Sequence, residues 1–174
     1  MNQDSITRFN DNLHALPDQL QADVVLVFEE ISDHLPDISG AGTADSPANT
    51  QLINTDWISV LPDVLSSSRF ICGLLRKDTS YLTEIIHDGS LFSSLDSEQV
   101  SAKLATSLAA TDDELEIMQI LRRVRIQVML QIAFRDLAGW ATLDEVMSSI
   151  TRTAEVILSA ALDCSYRLTS IKSG

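Results

Sequence analysis

Residues 112–138 read DDELEIMQILRRVRIQVMLQIAFRDLA, and this stretch decides the fold. Glu116, Gln119, Arg123, Gln127, Gln131 and Arg135 recur at spacings of three and four, drawing one narrow polar stripe along a helix whose other positions are nearly all apolar. A helix with so thin a wet face is expected to be buried on most sides and to act as the central strut of a bundle. Thr111-Asp-Asp-Glu114 opens it in the form of a capping box, with a hydroxyl placed to accept an orphan amide and a glutamate placed to reach back. A second box, Thr142-Leu-Asp-Glu145, opens the next helix, expected over 142–168. There Leu143, Val146, Ile150, Ala154, Ile157, Ala161, Cys164 and Leu168 repeat at three and four, and Ala154, Ser159, Ala160 and Ala161 permit close approach to a neighbour. The short connection from Ala138 to Ala141 makes that neighbour the preceding helix, antiparallel to it. The expected fold class is all-α, a bundle of about six to eight helices with a long antiparallel C-terminal hairpin.

Towards the N-terminus, shorter helices are expected over Trp57 to Ser66, Ser68 to Leu75, Thr79 to His87 and Asp96 to Ala110, with Gly89 placed as a terminator. Residues 36–54, which include PDISGAGTADSPANT, concentrate Pro, Gly, Ser, Asp and Asn and are expected to form a flexible linker or loop. Gly40 and Gly42 lie in it without a preceding strand, so they do not make a phosphate cradle. Residues 1–35 carry two more helices, with Pro17 suited to the first turn of the second. The expected organisation is N-terminal helices over 1–35, the linker over 36–54 and a helical bundle segment over 55–174.

Composition narrows the partners. The 174 residues hold 12 Lys plus Arg against 25 Asp plus Glu, a formal charge of −13, which repels phosphate backbones and anionic lipid; neither nucleic acid nor membrane is expected as a partner. No apolar run is long enough to span a bilayer, and MNQDSITRFNDNLH lacks the basic start and apolar core of a signal peptide, so a cytoplasmic location is expected. Cys72 and Cys164 are expected to be small buried thiols.

No complete catalytic site is expected. His14, His34 and His87 are far apart, with no nucleophile elbow near them, and neither H-E-x-x-H, C-x-x-C nor a calcium loop occurs; the catalytic and metal assignments are both empty. Asp96-Ser97-Glu98, Asp112-Asp113 and Asp144-Glu145 read as first-turn acids of helices rather than ligand pairs. Arg122 and Arg125 are the candidate interface residues. They project from a different side of the 112–138 helix than the polar stripe, among apolar neighbours. Either they pair with Glu155 or Asp163 on the adjacent helix, or they meet an acidic surface on a partner.

Two stretches taken together resemble a known family: LPDVLSSSRF (61–70) with LLRKDTSYL (74–82), and LRRVRIQVMLQIAFRDLAG (121–139) continuing through Thr142-Leu-Asp-Glu-Val and Ala160-Ala-Leu-Asp. They are similar to the glutamate-ammonia-ligase (glutamine synthetase) adenylyltransferases over roughly residues 55–168. The resemblance implies the N-terminal helical segment of a bifunctional adenylyltransferase and deadenylylase, preceding its first nucleotidyltransferase core. It implies that core or glutamine synthetase as partners. Mg²⁺ and ATP or ADP are implied for the full-length family member and none for this segment. The family's Gly-Lys-Leu-Gly-Gly stretch and Ser-Asp-x-Asp motif do not occur here, so no catalytic residue is carried over. The alternative is a free-standing helical adaptor that binds a protein through Arg122, Arg125 and a groove between helices.

Overall fold

The computed structural model describes residues 3–32 and 57–173. The linker expectation, His34, Gly40 and Gly42 lie outside the described residues. Those described form eight α-helices: α1 (Gln3–Ala15), α2 (Asp18–Ser32), α3 (Trp57–Ser67), α4 (Arg69–Lys77), α5 (Ser80–His87), α6 (Ser97–Ala109), α7 (Glu114–Leu137) and α8 (Leu143–Ser173), with a 3-10 turn at Ser90–Phe92. Among the described residues there is no strand, and no single helix is long and apolar enough to cross a membrane.

The helix boundaries follow local chemistry. Ser68 separates α3 from α4: its hydroxyl accepts from the Ile71 amide at 3.2 Å, and the two axes bend by 112° across it. Pro62 lies inside α3 and deprives the Ile58 carbonyl of its helical donor, yet the helix persists because Trp57, Leu61, Val64 and Leu65 are all buried. Thr79 precedes α5 without a capping bond from its side chain, and the Asp78 carboxylate accepts from the Ser80 amide at 2.9 Å in its place. Gly89 stops α5 with φ 79°, a left-handed conformation that glycine adopts without a Cβ clash.

The two capping boxes are corrected. Before α7 the cap is Asp113, whose carboxylate accepts from the Leu115 amide at 2.8 Å, while Thr111 bonds to the Asp113 amide and to Glu116. The carboxylate two residues further on outcompetes the hydroxyl for the first orphan amides. Before α8 the Thr142 hydroxyl accepts from the Glu145 amide at 3.2 Å as expected, but the Glu145 side chain turns to Arg135 instead of reaching back.

Burial divides into one large core and a smaller lobe of two clusters. The large core gathers Phe9 and Leu13 of α1, Val24, Val27 and Ile31 of α2, the apolar faces of α3, α4 and α5, and Leu130 and Phe134 of α7. The smaller clusters join α6, α7 and α8: Leu104, Leu108, Ile117 and Cys164 in one, Val128, Ile132 and Val146 in the other. Cys164 near the end of α8 meets Ile117 near the start of α7, and Val146 at the start of α8 meets Ile132 near the end of α7. Clusters that join opposite ends of the two helices run them antiparallel. The α7 helix contributes to both cores and is the strut the periodicity predicts.

Candidate protein-interaction surface

The polar stripe of α7 is wet only along its first half: Glu116, Gln119 and Arg123 are exposed, whereas Gln131 and Arg135 are 5% and 8% exposed. From Arg123 onward it bonds α7 to its neighbours: Arg123 and Gln127 both donate to the Glu84 carboxylate on α5, and the Arg123 guanidinium also lies over the Tyr81 ring, 5.1 Å from its centroid. Gln131 donates to the Ser90 and Ser93 carbonyls at 2.7 and 3.2 Å, satisfying the backbone around the 3-10 turn. Arg135 donates to the Glu145 carboxylate at 2.9 Å and to the Leu91 and Trp140 carbonyls, tying the end of α7 to the start of α8. A buried guanidinium with three such acceptors is compensated rather than orphaned. These residues hold the fold together and leave no nucleophile, acid or base free.

Between α5 and α6, above α7, lies a cleft of about 920 Å³. Its floor includes Val124 and Val128, and its charged walls are already paired, Arg123 with Glu84 and Lys103 with Asp88 at 2.9 Å. Partial burial works to raise the Asp88 carboxyl, but hydrogen bonds from Ser90 and Lys103 together outweigh it and hold the group below its ordinary value. At the start of α5, bonds from Ser80 hold Asp78 below its ordinary value as well. Burial pushes the Cys72 thiol up, against the lowering influence of Arg76, and its Sγ donates to the Leu65 carbonyl at 3.0 Å. Such a thiol is a packing group and a poor nucleophile. Cys164 is buried, as expected, whereas Cys72 is half-buried.

The acidic pairs are structural. Asp96 caps α6, accepting from the Glu98 and Gln99 amides at 3.0 Å; Asp113 caps α7; Glu145 pairs with Arg135. His14 and His87 are exposed and far apart in the chain. Among the described residues no group of three or more His, Cys, Asp or Glu could hold a metal ion.

Arg122 and Arg125 are both exposed, and among the described residues neither forms an ion pair. The pairing with Glu155 or Asp163 is not made, because all four side chains point into solvent and none needs compensation. Their surroundings are apolar. On α7, Leu115 is 69% exposed and Met118 51%. On α8, Leu143, Met147, Ile150, Leu158, Leu162 and Tyr166 are all exposed, Leu158 at 65%.

This row is the main departure from the sequence reading of α8. Leu143, Ile150 and Ala154, expected to face the neighbour, lie outside; the buried face is Val146, Ser149, Thr153 and Cys164. Small hydroxyl residues allow the close approach to α6 and α7, with Thr153 donating to the Ser149 carbonyl at 2.7 Å. The signal that could have found it is the second row at the same spacing, in which small side chains mark the tighter contact.

The family model for glutamate-ammonia ligase adenylyltransferase matches residues 58–174. The chain is 37% identical over 101 residues to the bifunctional glutamine synthetase adenylyltransferase/adenylyl-removing enzyme of Nitrosococcus oceani, covering 58% of this chain and 10% of that enzyme. To the enzyme of the same description from Thioalkalivibrio sulfidiphilus it is 30% identical over 150 residues, covering 86% of this chain and 14% of the relative. To that of Shewanella loihica it is 27% identical over 157 residues, covering 90% and 15%. The last two matches are too long to fit within residues 55–168, so the likeness reaches into the N-terminal helices, further than the resemblance suggested. The chain spans only 10% to 15% of the length of these three relatives. No solved structure matches it.

Proposed function

The chain belongs to the glutamate-ammonia ligase adenylyltransferase family, and from that premise we propose that it is the helical portion of a bifunctional glutamine synthetase adenylyltransferase and adenylyl-removing enzyme, supporting a nucleotidyltransferase core that lies outside these 174 residues. The observation that carries this reading is the row of large apolar side chains left exposed along α8, from Leu143 to Tyr166. Contiguous apolar surface of this kind marks a face that another part of a protein covers. The polar side chains of α7 support the same reading, since they are used in holding helices to one another rather than in presenting reactive groups.

On this reading Mg²⁺ and nucleotide bind the core and glutamine synthetase is the protein substrate, all in the cytoplasm. The coding sequence past the codon for Gly174 provides the test. A Gly-Lys-Leu-Gly-Gly stretch followed by Ser-Asp-x-Asp, in a polypeptide that transfers AMP to and from glutamine synthetase, is the expected result. A stop codon directly after Gly174 would sink the reading.

In the second reading the chain is a free-standing helical adaptor whose contact is built on Arg122 and Arg125. It is favoured by the exposure of those two arginines, which form no ion pair among the described residues. Capture of a stoichiometric protein partner by the 174-residue chain, lost in the Arg122→Glu/Arg125→Glu variant, would support it; no such loss would exclude it.

A further inference from the structure

We propose that the side of the α7–α8 pair turned away from α6 docks an acidic amphipathic helix from the part of the polypeptide outside these 174 residues. The proposal rests on the family reading above and adds to it the place and chemistry of the contact.

The face assembles from helical geometry. At about 100° per residue, Leu115, Met118, Arg122 and Arg125 fall on one strip of α7 beside the contact with α8. All four are exposed. The strip of α8 flanking the same contact holds Leu158 and Leu162, 65% and 53% exposed. The antiparallel register fixed by the Ile117–Cys164 and Ile132–Val146 clusters sets Met118 level with Leu162 and Arg122 level with Leu158. The result is a shallow trough between two antiparallel helices, floored by apolar side chains, with two guanidinium groups along the α7 wall and the single exposed carboxylate of Glu155 on the α8 wall level with Arg125. The α6 helix already covers the opposite side of the pair. A helix laid in the trough would complete a four-helix arrangement, the usual way such a pair buries both of its sides.

Charge determines the kind of helix. Among the described residues Arg76, Arg123, Arg135 and Arg167 each pair with a carboxylate, whereas Arg122 and Arg125, like the exposed Arg69 and Arg152 elsewhere, form no ion pair. Acidic residues outnumber basic ones 25 to 12, so an acidic partner is repelled by most of the surface, and on this face Arg122 and Arg125 are the two neighbouring cations that attract it. Carboxylates three or four residues apart on a helix match two guanidinium groups three residues apart. The occupant is placed in the same polypeptide because the matched region is 10% to 15% of the relatives' length. The remainder of such a chain is present at an effective concentration no separate protein reaches.

The test compares the 174-residue chain with the full-length polypeptide. Both carry Leu158→Cys, and the rate at which a maleimide labels that position is followed by site-resolved mass spectrometry, with half-buried Cys72 as the internal reference. Labelling is expected to slow at least tenfold in the full-length protein. Adding Arg122→Glu/Arg125→Glu is expected to restore most of the rate there and to change nothing in the 174-residue chain, where both positions are exposed and an unchanged thermal midpoint confirms folding. Equal labelling in the two lengths overturns the proposal. Protection indifferent to the charge reversal overturns the acidic occupant, and protection that arises only when glutamine synthetase is added assigns the face to a separate protein. Adenylyl transfer to and from glutamine synthetase, assayed on the unsubstituted full-length protein, judges the family reading independently of the labelling.

Discussion

Asp88 ends α5 and joins three things at once: its carboxylate accepts from the Ser90 amide at 2.9 Å and from Lys103 of α6 at 2.9 Å, while its backbone closes the helix. These bonds outweigh partial burial and lower its pKa in the folded state. A lowered folded value means that the unfolded chain binds the proton more readily. The contribution of Asp88 to stability is therefore fully present above the ordinary aspartate range and lost as pH falls below that range through the lowered folded value. Urea midpoints measured from pH 6 down to pH 3 should show the parent chain more stable than Asp88→Asn at the upper end, with the two converging at the lower; a constant or widening gap contradicts this. Gln131 gives a second prediction. Its amide faces two carbonyl oxygens from within the core, so Gln131→Glu should cost about 2–4 kcal/mol at neutral pH and lose less as the new carboxyl is protonated. A Gln131→Glu stability that rises with pH would contradict it. The sequence placed Gln131 and Arg135 on one stripe correctly, yet could not say which way the stripe faced. Polar periodicity has the same form whether the groups meet water or backbone carbonyls, and the Ser90 and Leu91 carbonyls that Gln131 and Arg135 reach lie 41 and 44 residues away in the chain.

Elements were legible where a single local interaction sets a boundary. Gly89, Asp96 and Ser68 all act where the sequence placed them, because a left-handed glycine or a capping side chain acts within three residues of itself. Thr111 was misread because Asp113 competes for the same orphan amides, and Glu145 because Arg135, ten residues away, is a stronger partner than the amide it was expected to reach. The face of α8 was misread because two rows of suitable spacing run along it, and periodicity does not rank them. Ser68 supplies the cap at the 112° turn between α3 and α4, so Ser68→Ala should lower stability by about 0.5–2 kcal/mol and Ser68→Asp by much less. Thermal unfolding of the two variants checks this; an equal loss in both would show that the hydroxyl is not acting as a cap.

At the scale of the whole molecule, α7 belongs to both cores: Phe134 is fully buried among the N-terminal helices, and Ile117 is buried between α6 and α8. Phe134→Ala should cost about 3–5 kcal/mol. The loss should appear in one transition, reported alike by Trp140, which packs on Phe134, and by far-ultraviolet circular dichroism. Two resolved transitions would mean that the cores melt separately. The 31 residues of α8 extend this unity outward. At about 1.5 Å per residue the helix is a rod of roughly 46 Å. It is tied near its start by the Arg135–Glu145 bond and near its end by Arg167, which donates to the Leu108 and Thr111 carbonyls at 2.8 Å. It is therefore a brace: the end of α7 and the turn between α6 and α7 are held a fixed span apart, and neither can shift without carrying the other.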